Sequence, residues 1–122
     1  MKNIDESVLN SIKKFLGIIP EDTSFDPELI MLINSVFMAV MQQWHGVDNA
    51  FVIHDETDKW SDFLKGDTDY EALKTYVSLR VKLTFDPPTN ASVLDAMQRE
   101  IADWEWRGYI WKDLERIEEE KS

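Results

Sequence analysis

No cysteine occurs in the 122-residue chain, which excludes a disulfide framework and any thiolate metal site and leaves stability to packing alone. That suits a reducing cytoplasm. Histidine is scarce: His45 and His54 are the only two. Asp48, Asp55 and Asp58 lie near them, yet the spacing matches no pattern of divalent-metal ligands, so both are read as exposed loop residues and no metal is expected. Glycine and proline number four each, and Gly17, Gly46, Gly66 and Gly108 stand apart from one another. No phosphate-cradling loop is available, and each glycine is expected at a helix end or break. Long apolar runs are missing as well. Nothing approaches the length that crosses a bilayer, and Met1-Lys2-Asn3-Ile4-Asp5 lacks the apolar centre of a signal peptide, so the expectation is a soluble, unexported protein with no membrane contact. Basic residues are few, 13 against 24 acidic ones. The resulting charge of -11 argues against a binder of nucleic-acid phosphates, which gains affinity by replacing counterions with Lys and Arg.

Catalytic patterns are also absent. No turn or motif brings a Ser or Thr to a base that a third group orients. Paired acids such as Asp103 and Glu105, or Glu118 to Glu120, follow from the abundance of acids and are read as a solvated face. The chain is read as no enzyme, with no catalytic residue and no cofactor.

What is present is enough apolar residue, 43%, for one core in a chain of single-domain length, and such a chain buries roughly two-thirds of its unfolded surface. Asp5 precedes Val8, Leu9, Ile12, Phe15 and Leu16, which share one helix face, and Gly17 follows, predicting a helix over 5–16. Asp26 is expected to cap a second helix, with Pro27 at its first position and Phe25 stapled onto Ile30. That helix runs through Leu29, Ile33, Val36, Phe37, Val40 and Trp44 to a stop before Gly46. Its apolar arc is so wide that the helix either lies at the centre of the fold or gives its second side to a neighbour. Residues 46–59 break the period, and Phe51-Val52-Ile53 alone has strand character, so a loop or short extended arm is expected. Thr57 or Asp58 then caps a short turn carrying Trp60, Phe63 and Leu64. A third helix ends at Pro87-Pro88, and Thr89 or Asn90 opens a fourth along Val93, Leu94, Met97, Ile101 and Trp104. The two form an antiparallel hairpin turning at Asp86-Pro87-Pro88. The predicted class is all-α, a small helical bundle with a long hairpin and an irregular central loop or arm.

Five aromatic and apolar residues then crowd together: Trp104, Trp106, Tyr109, Ile110 and Trp111. On a helix Trp111 repeats the direction of Trp104, while Trp106 points away from both and cannot share their pocket. With Arg107, Lys112 and Arg116 beside them, these rings divide between core packing and a docking anchor for another protein, as an intersubunit or partner contact.

In order along the chain, Ser7-Val8-Leu9-Asn10-Ser11-Ile12-Lys13-Lys14-Phe15-Leu16-Gly17, Phe25-Asp26-Pro27-Glu28-Leu29-Ile30, Ile33-Asn34-Ser35-Val36-Phe37, Trp60-Ser61-Asp62-Phe63-Leu64, Leu73-Lys74-Thr75-Tyr76-Val77, Lys82-Leu83-Thr84-Phe85-Asp86-Pro87-Pro88-Thr89 and Trp104-Glu105-Trp106-Arg107 resemble the small head-tail connector, or adaptor, proteins of long-tailed bacteriophages and Gram-positive prophages. The pattern ends at Arg107. The resemblance implies a structural virion protein, assembled in the host cytoplasm and placed at the head-tail interface. Residues 1–117 would form the connector domain and 118–122 a frayed acidic end. Its partners would be itself, in a homo-oligomeric ring of roughly twelve copies, the portal protein, and a tail-side stopper or neck protein, with DNA passing through the lumen without specific binding. The third and fourth helices would be the rigid part, and the loop 46–59, with Phe51 and Ile53, and the segment Trp104, Trp106, Arg107, Tyr109 and Trp111 would reach neighbours or portal. The competing reading from charge alone is an acidic DNA mimic that inhibits a host nucleic-acid-binding protein.

Overall fold

The computed structural model describes residues 6–40, 52–62 and 70–121, beyond Arg107 as the course of the helix only. They form four α-helices, α1 (Val8–Leu16), α2 (Asp26–Val40), α3 (Tyr70–Phe85) and α4 (Ala91–Lys121), with a 3-10 turn at Trp60–Asp62 between α2 and α3. No strand occurs among the described residues, and the fold is all-α as predicted.

The first helix starts at Val8 rather than near Asp5, which lies outside the described residues. Ser7 is the cap: its Oγ accepts the Asn10 N–H at 3.1 Å. The residues before it are held extended against the loop ahead of the 3-10 turn. Trp60 N–H donates to the Glu6 carbonyl, Val8 N–H donates to the Asp58 carbonyl, and Ser7 and Lys59 form an antiparallel bridge. At the other end Gly17 takes φ 81°, so that its N–H reaches the Lys14 carbonyl and the Ile18 N–H the Lys13 carbonyl, the paired bonds of a Schellman ending.

Asp26 does not cap α2 as expected. Its carboxylate turns to α1, where Lys13 Nζ lies 2.9 Å from Oδ1 and also donates to the Pro20 carbonyl at 3.0 Å. Lys13 is only 1% exposed. The contact with Asp26 is that of charges rather than an aligned hydrogen bond, since the sheltered Oδ1 accepts none. It ties the end of α1 to the start of α2. The Phe25 ring meets Phe85 edge-on, with ring centroids 5.4 Å apart, joining the start of α2 to the end of α3.

Leu29, Ile33, Val36 and Phe37 carry α2 into the core, beside Val8, Leu9 and Ile12 from α1. Trp60 plugs the middle. It is fully buried, its Nε1–H donates to Ser11 Oγ at 2.9 Å, and its ring meets Phe37 edge-on. The central helix is α3, not α2: Leu73, Tyr76, Val77, Leu79 and Val81 are buried, and α3 packs on each of the other three helices. The second side of α2 instead faces outward, with Met31 63% and Met38 66% exposed.

The hairpin turns where the prolines require it. After Phe85, Asp86 N–H still reaches the Lys82 carbonyl, and Asn90 Oδ1 accepts the N–H groups of Ser92 and Val93 to open α4. The helix then continues through Gly108, where a break was expected, to Lys121. At 1.5 Å per residue its 31 residues span about 46 Å, nearly twice the length of the 16-residue α3.

Candidate assembly interface

Among the described residues, the side chains of α4 that are withdrawn from solvent form a narrow stripe. Ile101 is buried, Met97 and Trp104 are partly buried against the core, and the other described side chains of α4 from Ala91 to Arg107 are exposed except Leu94 and Glu105.

Glu105 fixes the helix. Its Oε2 accepts from Tyr76 Oη at 2.8 Å and from Arg80 Nη1 at 2.8 Å, and Arg80 Nη1 also donates to Tyr76 Oη at 3.1 Å. Burial of the ring, and then the hydrogen bond to Glu105, push the Tyr76 phenol up to about 12 from 10.0. The clasp also sets the stagger of the hairpin. With Glu105 level with the turn Tyr76–Arg80, Phe85 stands opposite about residue 98 and Tyr70 opposite about 113, so α4 overhangs α3 at both ends.

The expected interface residues fall into three groups. Trp104 belongs partly to the core, and the Arg107 guanidinium lies 4.7 Å from its ring centre. Trp106, on the other side of the helix, is 62% exposed, the divergence that helical geometry requires. Ile53 is 1% exposed and cannot offer a surface in this subunit. Asn34 holds it in place, its side-chain amide donating to the Ile53 carbonyl at 3.1 Å and accepting the Ile53 N–H at 2.9 Å. This substitutes for the strand partner that Phe51-Val52-Ile53 suggested, and Val52 and Ile53 follow no regular strand. Phe51 lies outside the described residues, as do the side chains of Tyr109 and Trp111.

Sequence reasoning missed Lys13, which reads as an ordinary surface lysine, and the role of Glu105 as a clasp. A signal for Lys13 existed: in the helix it falls beside Leu9 and Ile12 on the buried side.

The acidic loop residues are engaged in local structure. Asp58 Oδ2 accepts the N–H groups of His54 and Asp55, Asp62 Oδ2 that of Lys59, Asp55 Oδ1 that of Thr57, and Asp22 Oδ1 that of Ser24. The Thr57 and Ser24 hydroxyls, followed by those backbone bonds, hold the Asp55 and Asp22 carboxyls below their ordinary value. His54 is exposed at 3.7 Å from Asp58, while His45 and Asp48 lie outside the described residues. Among the described residues no group of three His, Asp or Glu side chains is placed to hold a metal ion, and no helix is long and apolar enough to cross a membrane.

Neither the curated proteins nor the solved structures contain a match to this chain. A family model described as Phage connector protein matches residues 8–113, from the first residue of α1 to a point past Arg107, where the resemblance quoted above stops. That span includes α1, α2, α3, most of α4, the buried Trp60 and the Glu105 clasp, so the chain belongs to the phage connector protein family, structural components of the virion.

Proposed function

We propose that the protein is a head-tail connector subunit that assembles with about a dozen copies into a closed ring under the portal, extends the DNA channel and receives the next tail-side component. The observation that carries this reading is α4, which is clasped to the body at Glu105, overhangs its partner helix at both ends and leaves most of the Trp106 side chain accessible. An exposed apolar surface of this kind gains stabilisation when another subunit covers it. The outward Met31 and Met38 of α2 fit the same picture, since a subunit in a head-to-tail ring needs two different apolar surfaces. The net charge of -11 suits a channel wall that repels DNA and lets it slide.

Co-expression with the portal protein of the same phage, followed by sedimentation and negative-stain imaging, tests the reading. Portal particles carrying an added ring support it. A chain that remains monomeric beside intact portals, or that instead binds a basic nucleic-acid-binding host protein, overturns it in favour of the acidic mimic. Several acids already have structural partners, Glu6 with Lys74, Asp26 with Lys13 and Glu105 with Arg80, which fits a mimic poorly.

A further inference from the structure

Two exposed helix faces carry their long side chains at the same interval. On α2, Met31 and Met38 stand two turns apart on one side, opposite Leu29, Ile33 and Val36, with the small Ser35 between them. On α4, Arg99 and Trp106 stand two turns apart on the side away from Ile101, with the small Ala102 between them. Each interval is about 10.5 Å. Because α3 lies between α2 and α4 and packs on both, the two faces look away from each other.

The helix directions also agree. Phe25 at the start of α2 meets Phe85 at the end of α3. Phe37 near the end of α2 meets Trp60, whose N–H donates to the Glu6 carbonyl, and Glu6 pairs with Lys74 near the start of α3. So α2 runs against α3, as α4 does through the hairpin, and α2 and α4 point the same way. Neighbours in a closed ring of a dozen copies are turned by only about 30°, so α4 of one copy meets α2 of the next in parallel.

With the helices parallel and Met31 level with Arg99, the faces match along their length. Met38 meets the Trp106 ring in a sulfur–aromatic contact, Ser35 meets Ala102 where both helices are slim, and Met31 lies along the aliphatic stem of Arg99. Glu28, one turn before Met31, is exposed and has no ion pair among the described residues, and it comes within reach of the Arg99 guanidinium. Asp95 lies along the same border and already pairs with Arg99, so the arginine holds a carboxylate from each copy. Asp103 falls along the other border, where α2 offers Pro27 and Asn34 and no acid.

We infer that Met31, Ser35 and Met38 of α2 receive Arg99, Ala102 and Trp106 of α4 from the neighbouring copy, in parallel, with Glu28 paired to Arg99 across the joint. The contact joins two different surfaces, so it is heterologous and repeats until the ring closes. Covering the two methionines and the tryptophan removes roughly 400 Å2 of apolar surface, well short of the roughly 1,200 Å2 of a stable pair. One joint is therefore weak alone, and rings form where the portal holds copies side by side and each makes two joints. This inference rests on the ring reading and names the surfaces that make the ring.

The chain has no cysteine, so an introduced pair reports only its own contact. Ser35→Cys with Ala102→Cys in one chain is expected to give a ladder of covalently linked copies when portal-bound rings are oxidised, while neither change alone does. Met38→Glu, at an exposed site, should keep the wild-type melting temperature and abolish ring formation. Glu28→Arg should raise the concentration needed for ring formation about tenfold, and adding Arg99→Glu should bring it back near the wild-type value. Normal rings from Met38→Glu, portal-bound rings of the cysteine pair that give no ladder, or a charge swap no better than Glu28→Arg alone would each overturn the inference and leave the connector reading in place. A wild-type chain that never joins the portal removes the connector reading itself, a different and recognisable result.

Discussion

Replacing Glu105 with Ala should cost about 2 kcal/mol of folding stability, although Glu105 is itself about one-third exposed. Two interactions are lost. The bond from the buried Tyr76 hydroxyl to the carboxylate is charge-assisted, and losing it costs about 1.5 kcal/mol, because Tyr76 Oη keeps only its contact with Arg80. The Arg80 ion pair, with both side chains about a third exposed, adds only about 0.5 kcal/mol after solvent screening. For a domain of this length the change corresponds to a fall of about 8 °C in melting temperature. Urea denaturation of Glu105→Ala, Tyr76→Phe and the double variant measures the coupling: the double variant should be hardly less stable than Glu105→Ala alone, leaving a coupling near 1.5 kcal/mol. Spectrophotometric titration supplies an independent reading. The phenol is raised in the folded state, so its contribution is complete below pH 10, the unfolded value, and is lost as pH rises through about 12. In Glu105→Gln the Tyr76 midpoint should move down, identified by difference against Tyr76→Phe. Additive losses, or a Tyr76 midpoint that does not respond to Glu105, would refute the clasp.

Lys13→Met should destabilise the fold by about 3 kcal/mol by leaving Asp26 without its countercharge, and Lys13→Met combined with Asp26→Leu should recover most of that loss in the same denaturation assay. Gly17→Ala has room for its methyl group but must hold φ 81°, so a loss of about 1 kcal/mol is expected in thermal unfolding. Asn34→Leu should free the Ile53 backbone groups and raise hydrogen exchange at the Ile53 amide with little change at Val77. Trp106→Ala should leave unfolding within 0.5 kcal/mol of wild type, about the usual limit for an exposed site, while lowering ring occupancy on portals.

The helices were legible because each has a local cause. Apolar spacing marked α1 and α2, Gly17 ended α1, and Pro87-Pro88 with Asn90 forced the reversal between α3 and α4. Errors arose wherever a side chain found a distant partner instead of a local one. Asp26 looked like a cap until Lys13 claimed it, Phe25 gained a distant partner in Phe85, and the bonds of Glu6 and Val8 to the loop set the start of α1 at Val8, where its apolar pattern begins, rather than near Asp5. Periodicity also misjudged the centre. The broad arc of α2 proved to have one buried and one exposed side, whereas α3, with mixed faces and a weaker stripe, touches every other helix. At the candidate interface the divergence of Trp106 from Trp104 follows from a turn of 3.6 residues and needed no structure. The burial of Ile53 could not be foreseen, since it depends on an asparagine 19 residues away.

The Glu105 clasp makes α4 a lever with two arms of nearly equal length. Lys121 lies sixteen residues beyond the fulcrum, about 24 Å along the axis, so a tilt of only about 5° carries the tip through about 2 Å. Because Ile101 and Met97 anchor the other arm in the core, such a tilt is taken up at the far end, where it lets the outer arm follow a neighbouring surface without refolding of the subunit.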